Sequence, residues 1–267
     1  MLWEEMTSKD IKEAAATHGV CILPLGIHEK HGNHLPVGTD MYIVRSVACK
    51  AAELEPAVVF PHYYYSQGSE CQHYVGCICA SHELIIASMQ EMCDEIARNG
   101  FKKILIMSGH GGNWGLIGFF AHKILGTGRD YTVYTSTVFD INEERQKRIM
   151  DFADGKEMGD HAGLSETALM MHIRPDLVHL DRQNPEEGNA LGRTKHLRDV
   201  KIFSGLNWYG DFPGHIGGDF TPATPELGKV IFDEFVGQAC DVIKTIKSDE
   251  ALPAFFKEYN NFTRNPM

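Results

Sequence analysis

Residues 20–25 read VCILPL, and residues 28–40, two positions further on, read HEKHGNHLPVGTD. The first stretch is an unbroken apolar run of strand length, which is typical of a strand buried on both faces of a parallel sheet. The second stretch follows it with carboxylate and imidazole side chains. Together these groups suit Zn, Mn or Fe rather than Ca or a thiolate-bound metal. The sequence therefore predicts a buried strand that leads into a metal site.

A second apolar run repeats this arrangement farther along the chain. Residues 104–107 read ILIM, and residues 108–113, which read SGHGGN, place a histidine among glycines directly after them. In parallel α/β sheets, ligands bind beyond the carboxyl ends of the strands. We therefore expect the two loops to build one site at a single edge of the sheet.

Strand-like and helix-like patterns alternate through most of the chain. The predicted strands are residues 20–25, 58–60, 104–107 and 131–139, and the predicted helices are residues 10–17, 41–54, 83–98, 116–124, 143–151, 161–173 and 225 to about 246. This order predicts an α/β fold, a three-layer sandwich with a mostly parallel sheet flanked by helices. With no internal repeat and no linker, a single domain over residues 1–267 is expected. Residues 180–223 have little periodicity and predict a long loop that serves as a lid or an oligomer contact.

Composition excludes several classes of partner. The net charge is −11 and Lys and Arg are not clustered, which argues against a nucleic-acid partner. No apolar stretch is long enough to span a bilayer, and the first residues lack the pattern of a secretory signal. The seven cysteines are scattered and odd in number, as expected of reduced thiols. We therefore expect a cytoplasmic protein with no membrane partner.

The loop after the first strand holds the densest set of potential ligands. Glu29 and His31 are two positions apart, so on an extended segment their side chains face the same way. Glycine and proline residues between His31 and Asp40 allow the chain to fold back and bring Asp40 to them. The spacing differs from the two-histidine helical motif of zinc peptidases. The alternative is a polar surface loop, and it applies best to His28 and His34 taken individually.

Two further motifs carry polar side chains at predicted helix starts. The glycines around His110 permit close approach of a ligand to the backbone. A phosphate-binding loop is the alternative there, but the spacing matches neither the Walker loop nor the dinucleotide fingerprint. Residues 160–167 read DHAGLSET, so His161 and Glu166 both lie near the start of a predicted helix, where its dipole favours anions. Each of these motifs, taken alone, is also compatible with an ordinary helix start.

Taken together and in this order, the three motifs resemble the signatures of the creatininase family, the creatinine amidohydrolases and their relatives. The resemblance lies in residues 23–40, 109–113 and 161–167, and it extends from about Trp3 to Pro175, with a weaker echo at 218–228. It implies an α/β sandwich and a two-metal hydrolase site. It also implies a homo-oligomer, most commonly a hexamer.

The resemblance also assigns metal ligands. It implies two divalent ions, Zn or Mn with Fe also open, bound by Glu29, His31, Asp40 and His110. Asp40 would bridge the two ions. Creatininases proper carry a glutamate where this chain has Gly112. Relatives with a Gly-Gly pair use the glutamate of the third motif, which implies that Glu166 is a ligand here.

The expected reaction is hydrolysis of a C–N bond in a small cyclic amide, formamide or related amide. His161 and Glu166 are the predicted catalytic residues. His161 would pass a proton to the leaving nitrogen, because imidazole titrates near neutral pH, and Asp160 would orient its ring. Lys30 and residues 75–77 depart from the family pattern and argue against creatinine itself. The expected walls of the substrate pocket are Trp114, Tyr63, Tyr64, Trp208 and Tyr209.

Three alternative functions remain open at this point. Two lie within the family: a deformylase acting on a formamidopyrimidine nucleotide, and a peptidase that trims a modified peptide. The deformylase would need a phosphate clamp, and the sequence shows no convincing basic cluster for one. The third alternative is a metal-binding protein without catalytic activity.

Overall fold

Four parallel strands form the central sheet of the protein. The computed structural model describes residues 1–159, 161–264 and 266. The strands are β1 (Val20–Leu25), β2 (Val58–Val59), β3 (Lys103–Ser108) and β4 (Thr132–Thr137). They pair in the order β2-β1-β3-β4, and the register of β1 and β3 places Leu25 opposite Ser108. The predicted parallel sheet is confirmed.

Helices cover both faces of this sheet, which confirms the predicted three-layer architecture. The helices are α1 (Ser8–Thr17), α2 (Thr39–Leu54), α3 (His82–Arg98), α4 (Trp114–Lys123), α5 (Glu143–Phe152), α6 (Leu164–Ile173), α7 (Lys195–Asp199), α8 (Asn207–Asp211), α9 (Pro225–Ser248) and α10 (Ala251–Arg264). In the described part of the chain, no helix has both the length and the apolar character that crossing a membrane requires.

Alternate residues of β1 supply two separate cores. Val20 and Ile22 pack with α2, α5, α6 and α9 on one face of the sheet. Cys21, Leu23 and Leu25 pack with α1, α3 and α4 on the other face. Because successive side chains of a strand point to opposite faces, a strand buried on both sides must be apolar throughout. This explains why the VCILPL run contains no polar residue.

The closest helix contact lies on the first of these faces, where α9 crosses α6. A Cβ atom at Gly228 of α9 would lie 1.9 Å from the carbonyl oxygen of Ala168 in α6. Only glycine permits the two backbones to approach this closely. This contact also fixes the position of α6, whose first turn carries Glu166.

Several predicted boundaries differ from the structure. The prediction that a helix begins at His161 is wrong, because α6 begins at Leu164. Ala162 has a φ of +51° and Gly163 is the extended N-cap residue, so the chain is not helical before Leu164. The fourth strand is shorter than predicted, and β2 ends one residue early at Val59.

Two segments contain more helix than predicted. Within residues 180–223 the chain forms α7 and α8 together with single 3-10 turns. The prediction also missed α10, which follows α9 after a short break. Phe256 of α10 packs against the core, and the side-chain amide of Asn260 donates to the carbonyl oxygen of Arg129.

Candidate metal centre

The loops that follow β1 and β3, together with the first turns of α2 and α6, bring the predicted metal ligands together at the carboxyl edge of the sheet. Each of these side chains is at most 5% exposed: Glu29, His31, Asp40, His110 and Glu166. A hydrogen bond from the amide of Glu29 to the carbonyl oxygen of Val37 closes the first loop. Asp40 lies in the first turn of α2, where the helix dipole stabilises its negative charge.

His31 directs one ring nitrogen at two carboxylates. Its Nδ1 lies 3.0 Å from the carbonyl oxygen of Glu29, and a carbonyl can only accept, so Nδ1 carries a proton. Its Nε2 is then the ring atom that would bind an ion in place of a proton. This atom lies 2.9 Å from Oδ1 of Asp40 and 3.5 Å from Oε2 of Glu166.

His110 completes a second set of ligands on the other side of Asp40. Its Nδ1 lies 3.0 Å from Oε2 of Glu29 and 3.0 Å from Oδ2 of Asp40. The two oxygens of Asp40 therefore face different histidines. This places Asp40 between two ligand sets, His31 with Glu166 and His110 with Glu29.

The electrostatics of the cluster show that it favours added positive charge. Burial acts to lower the pKa of His31, but Asp40 and Glu166 overcome it and raise that pKa to about 10. Burial, reinforced by the neighbouring carboxylate of Asp40, raises the pKa of Glu166 to about 7 although His31 opposes the shift. Nearby negative charge raises both pKa values, whereas burial acts in opposite directions on the imidazole and the carboxylate.

The residues present fit a pair of divalent ions. Buried atoms with no hydrogen-bond partner face this cluster, namely Oε2 of Glu29, Nε2 of His31 and Oδ2 of Asp40. The ligand atoms of His31, Asp40 and Glu166 lie within 4.8 Å of one another. Since buried polar atoms are nearly always paired, unpaired imidazole and carboxylate atoms that converge on one point indicate a cation site.

His161 lies beside this cluster, just before α6. It forms a backbone bridge with Gly217, and its ring lies 4.1 Å from the ring of His31. Its Nε2 donates to the carbonyl oxygen of Lys30 at 2.8 Å. Burial, together with the positive charge of His31, lowers the pKa of His161 to about 3. The predicted orienting residue Asp160 lies outside the described residues.

A cavity of about 470 Å³ opens onto the cluster. Trp114 and Trp208 line it, as predicted, with Glu29, Glu70, His110, Gly111, Gly112, Thr137, Phe139, Gly159, His161, Ser165 and Glu166. The prediction was wrong for the three tyrosines. Tyr63 is buried and pairs with Ser88, Tyr64 lies against His28, and Tyr209 packs against His73.

His34 has a structural role rather than a place in the cluster. Its Nε2 lies 3.1 Å from the carbonyl oxygen of Ala162 and 3.0 Å from Oγ1 of Thr167. Its ring stacks on Phe220 at 4.1 Å. His34 therefore ties the first loop to the segment that carries Glu166. His28 packs edge-on against Tyr64. His34 is fully buried, so the surface-loop alternative does not describe it.

Sequence reasoning missed two polar residues of the site. His215 adopts a φ of +58° and donates from Nε2 to Oε1 of Glu29 at 2.7 Å. Glu70 lies near Glu29 and His110, in the loop after β2. Glycines lie on both sides of His215, as they do around His110, and this pattern could have marked His215 as a residue of the site. No local pattern marks Glu70.

A three-layer α/β sandwich with such a cluster at its sheet edge is the architecture of a metal-binding hydrolase. The family model for creatininase, described as creatinine amidohydrolase, matches residues 4–243. This chain belongs to the creatininase family, and it is an enzyme of that family.

Curated relatives of the chain differ in their substrates. The chain is 28% identical over 192 residues to creatinine amidohydrolase of Pseudomonas putida, covering 67% of this chain and 74% of the relative. It is 29% identical over 239 residues to the mycofactocin precursor peptide peptidase of Mycolicibacterium smegmatis, covering 85% of each. It is 24% identical over 228 residues to 3-dehydro-scyllo-inosose hydrolase of Thermotoga maritima, covering 81% of this chain and 69% of the relative.

Solved creatininase structures share the fold. A creatininase with Mn superposes with a TM-score of 0.74 at 23% identity, covering 93% of this chain and 99% of the other. A mutant creatininase of the Zn-Zn type gives a TM-score of 0.74 at 24% identity, covering 93% and 98%. These matches confirm the predicted fold, and the family-model match over residues 4–243 confirms the predicted family.

Proposed function

We propose that the chain hydrolyses a C–N bond of a small cyclic amide, formamide or related amide, using two divalent ions, Zn or Mn. The proposed ligands are Glu29, His31, Asp40, His110 and Glu166. The observation that carries the proposal is the placement of Asp40, whose two oxygens face two separate histidines. A carboxylate in this position would hold both ions.

The protein's own groups have distinct tasks in this reaction. When bound, the ions would supply Lewis-acid polarisation of the substrate carbonyl and would make a water molecule acidic enough to attack near neutral pH. His215 fixes the orientation of Glu29 through its 2.7 Å hydrogen bond. Trp114 and Trp208 line the walls between which the substrate lies. Glu166 contributes to catalysis through the ion that it holds.

His161 is the proposed proton carrier. Because its Nε2 donates to the carbonyl oxygen of Lys30, its Nδ1 is the atom that accepts a proton and passes it to the leaving nitrogen. Its lowered pKa of about 3 keeps the ring neutral at pH 7 in the metal-free protein, and it makes the ring a weaker base than the near-neutral imidazole from which this role was predicted. A neutral ring beside His31 also avoids adding a second positive charge to that neighbour.

The lining of the cavity bears on the choice of substrate. The cavity-lining residues among those described include no Lys or Arg, so the phosphate clamp that a nucleotide deformylase needs is missing from this set. This disfavours a formamidopyrimidine nucleotide. Similarity to the mycofactocin peptidase makes a modified-peptide amide the second substrate class to be tested.

Turnover and metal content measured on one preparation test the proposal. The purified protein, loaded with Zn or Mn, is assayed on a panel of lactams, formamides, cyclic amides and modified peptides, with chelator-treated protein as the control. We expect turnover that disappears with the metal and returns when it is added back. Stoichiometric metal without turnover on any compound would favour the non-catalytic alternative. Metal-independent turnover would contradict the proposal.

We also propose that residues 1–267 act as one domain and assemble into a homo-oligomer, with a hexamer favoured. The packing of α10 on the common core supports the single domain. All seven cysteines are free thiols, which supports a reducing, cytoplasmic setting. Light scattering on the purified protein measures the oligomer.

A further inference from the structure

The geometry points to Glu70 as an additional metal ligand, which shares an ion with Glu29 and His110. The inference rests on the proposed two-metal site and adds a carboxylate that none of the three sequence motifs contains. The ligand atoms of Glu29, Glu70 and His110 lie within 4.8 Å of one another. Three ligand atoms at such separations can bind one ion at ordinary metal–ligand distances of about 2.0–2.2 Å.

The space in front of Gly112 is the space that Glu70 occupies. A Cβ atom at Gly112 would lie 3.2 Å from Oε1 of Glu70 and 2.5 Å from Nε2 of His110. A side chain at position 112 would therefore collide with the imidazole and crowd the carboxylate. Because Gly112 has no side chain, a carboxylate from a different loop can reach the same side of His110.

Hydrogen bonds hold Glu70 toward the cluster. The side-chain amide of Gln67 donates to Oε1 of Glu70 at 3.0 Å and to Oε2 at 2.8 Å. Each carboxylate oxygen keeps a further lone pair for a metal ion. Ligating carboxylates commonly have such a supporting hydrogen bond, which fixes their orientation.

A buried network ties the loop of Glu70 to the loop of His110. The side-chain oxygen of Asn113 accepts hydrogen bonds from the hydroxyl of Ser66 and from the backbone amide of Gln67. The side-chain amide of Asn113 donates to the hydroxyl of Ser108 at 3.1 Å. Ser66, Ser108 and Asn113 are fully buried, so the two loops are fastened together beneath the ligands. This network therefore links the loop of Glu70 directly to the loop of His110.

The charge distribution indicates that a cation belongs between these groups. Oε2 of Glu29 is buried and has no hydrogen-bond partner, although it lies 3.0 Å from Nδ1 of His110. Glu70 adds a second carboxylate next to this unpaired one, and the cavity-lining residues among those described include no Lys or Arg. Carboxylates placed so close together repel each other unless a positive ion lies between them.

Metal titration of the full chain tests this assignment. Chelator-treated wild type, Glu70→Gln, Glu166→Gln and Gln67→Ala proteins are titrated with Mn²⁺ by calorimetry, and visible spectra are recorded after loading with Co²⁺. We expect Glu70→Gln to weaken one of two ions by more than about 100-fold, beyond the 10–100-fold that loss of a supporting residue costs. Glu166→Gln should weaken the other ion. The cobalt spectrum should change in both variants, because each loses a ligand.

Glu258→Gln, at an exposed position of α10, is the matched control and should behave as wild type. Melting temperatures confirm that each variant is folded. If Glu70→Gln keeps both wild-type affinities, or loses affinity within the range of Gln67→Ala without a change in the cobalt spectrum, the ligand assignment is overturned. If the wild type itself binds fewer than two ions, the proposed two-metal function fails, and this outcome is distinct from failure of Glu70 alone.

Discussion

Oδ1 of Asp40 lies 2.9 Å from Nε2 of His31, and Nδ1 of the same ring donates to the carbonyl oxygen of Glu29. In the metal-free protein Asp40 and Glu166 raise the pKa of His31 to about 10, so a proton lies on Nε2, the position that a metal ion would take. The second oxygen of Asp40 faces His110 in the same way. Four predictions about the site and the fold follow from this and from the surrounding contacts.

Replacement of Asp40 by alanine should remove both ions, because the side chain of Asp40 contacts both His31 and His110. Elemental analysis of the purified Asp40→Ala protein checks this. Asp176→Ala, which removes an exposed carboxylate paired with Arg174, is the control and should keep the wild-type metal content. Full metal content in Asp40→Ala would rule out the bridging role.

His161→Ala should keep its metals and its substrate affinity while its turnover falls by about 10²–10⁴, the usual contribution of a positioned acid or base. The variant also loses the hydrogen bond to Lys30, which is worth about 0.5–1.5 kcal/mol of stability. Metal content, KM, kcat and melting temperature are measured on one preparation. Near-normal kcat with a lowered melting temperature would show that His161 is structural only.

His34 should make the metal-free protein less stable as the pH falls from about 6.5 to about 4. Burial lowers the pKa of His34 to about 4 from an ordinary value of 6.5. Between these pH values His34 binds a proton in the unfolded chain but not in the folded one, so the free energy of unfolding decreases as the pH decreases. The contribution of His34 to the free energy of unfolding is complete above pH 6.5. Below that pH this contribution changes by at most about 1.4 kcal/mol per pH unit.

Denaturant unfolding of wild type and His34→Gln at several pH values isolates this contribution, because the variant cannot take up that proton. The difference in stability between the two proteins should narrow as the pH falls. A difference that stays constant from pH 7 to pH 4 would contradict the assignment of His34 as a buried neutral ring.

Gly228→Ala should destabilise the fold by about 1–3 kcal/mol or more, because the added methyl group overlaps the carbonyl oxygen of Ala168. Gly118→Ala in α4 is the matched control. The space around a Cβ atom there is open, so alanine should stabilise the helix by about 0.5–1 kcal/mol. Thermal unfolding of both variants measures the effect. Equal melting temperatures would disprove the close crossing of α6 and α9.

The parts of the fold that the sequence predicts best are those fixed by local pattern. Strand β1 has the predicted bounds because its apolar run is complete and has glycine on each side. The start of α6 was misplaced because the left-handed conformation of Ala162 is not typical of alanine and leaves no trace in the sequence. Helix α10 was missed, since Pro253 and a mixture of aromatic and polar residues obscure its pattern.

The residues of the site also divide into those that a local sequence pattern predicts and those that only the packing of the chain brings together. Glu29, His31 and Asp40 share one short segment, so their spacing alone predicted that they meet. The contact of His215 with Glu29 joins residues 186 positions apart. Such a contact is set by the way the chain packs and not by any local period. Glu70 is similar, because its position depends on the buried network around Asn113.

The pairing of Leu25 with Ser108 at the ends of β1 and β3 has a consequence for the chemistry. Adjacent strands lie about 4.8 Å apart, so backbone hydrogen bonds of the sheet act as the ruler that spaces the two ligand-bearing loops. Inserting one residue into β1 would shift the first loop by about 3.3 Å and reverse its side chains. The pairing of the strands therefore sets the distance between the ligand-bearing loops. Mutations deep in the sheet can change this distance, and with it the activity, without replacing a ligand.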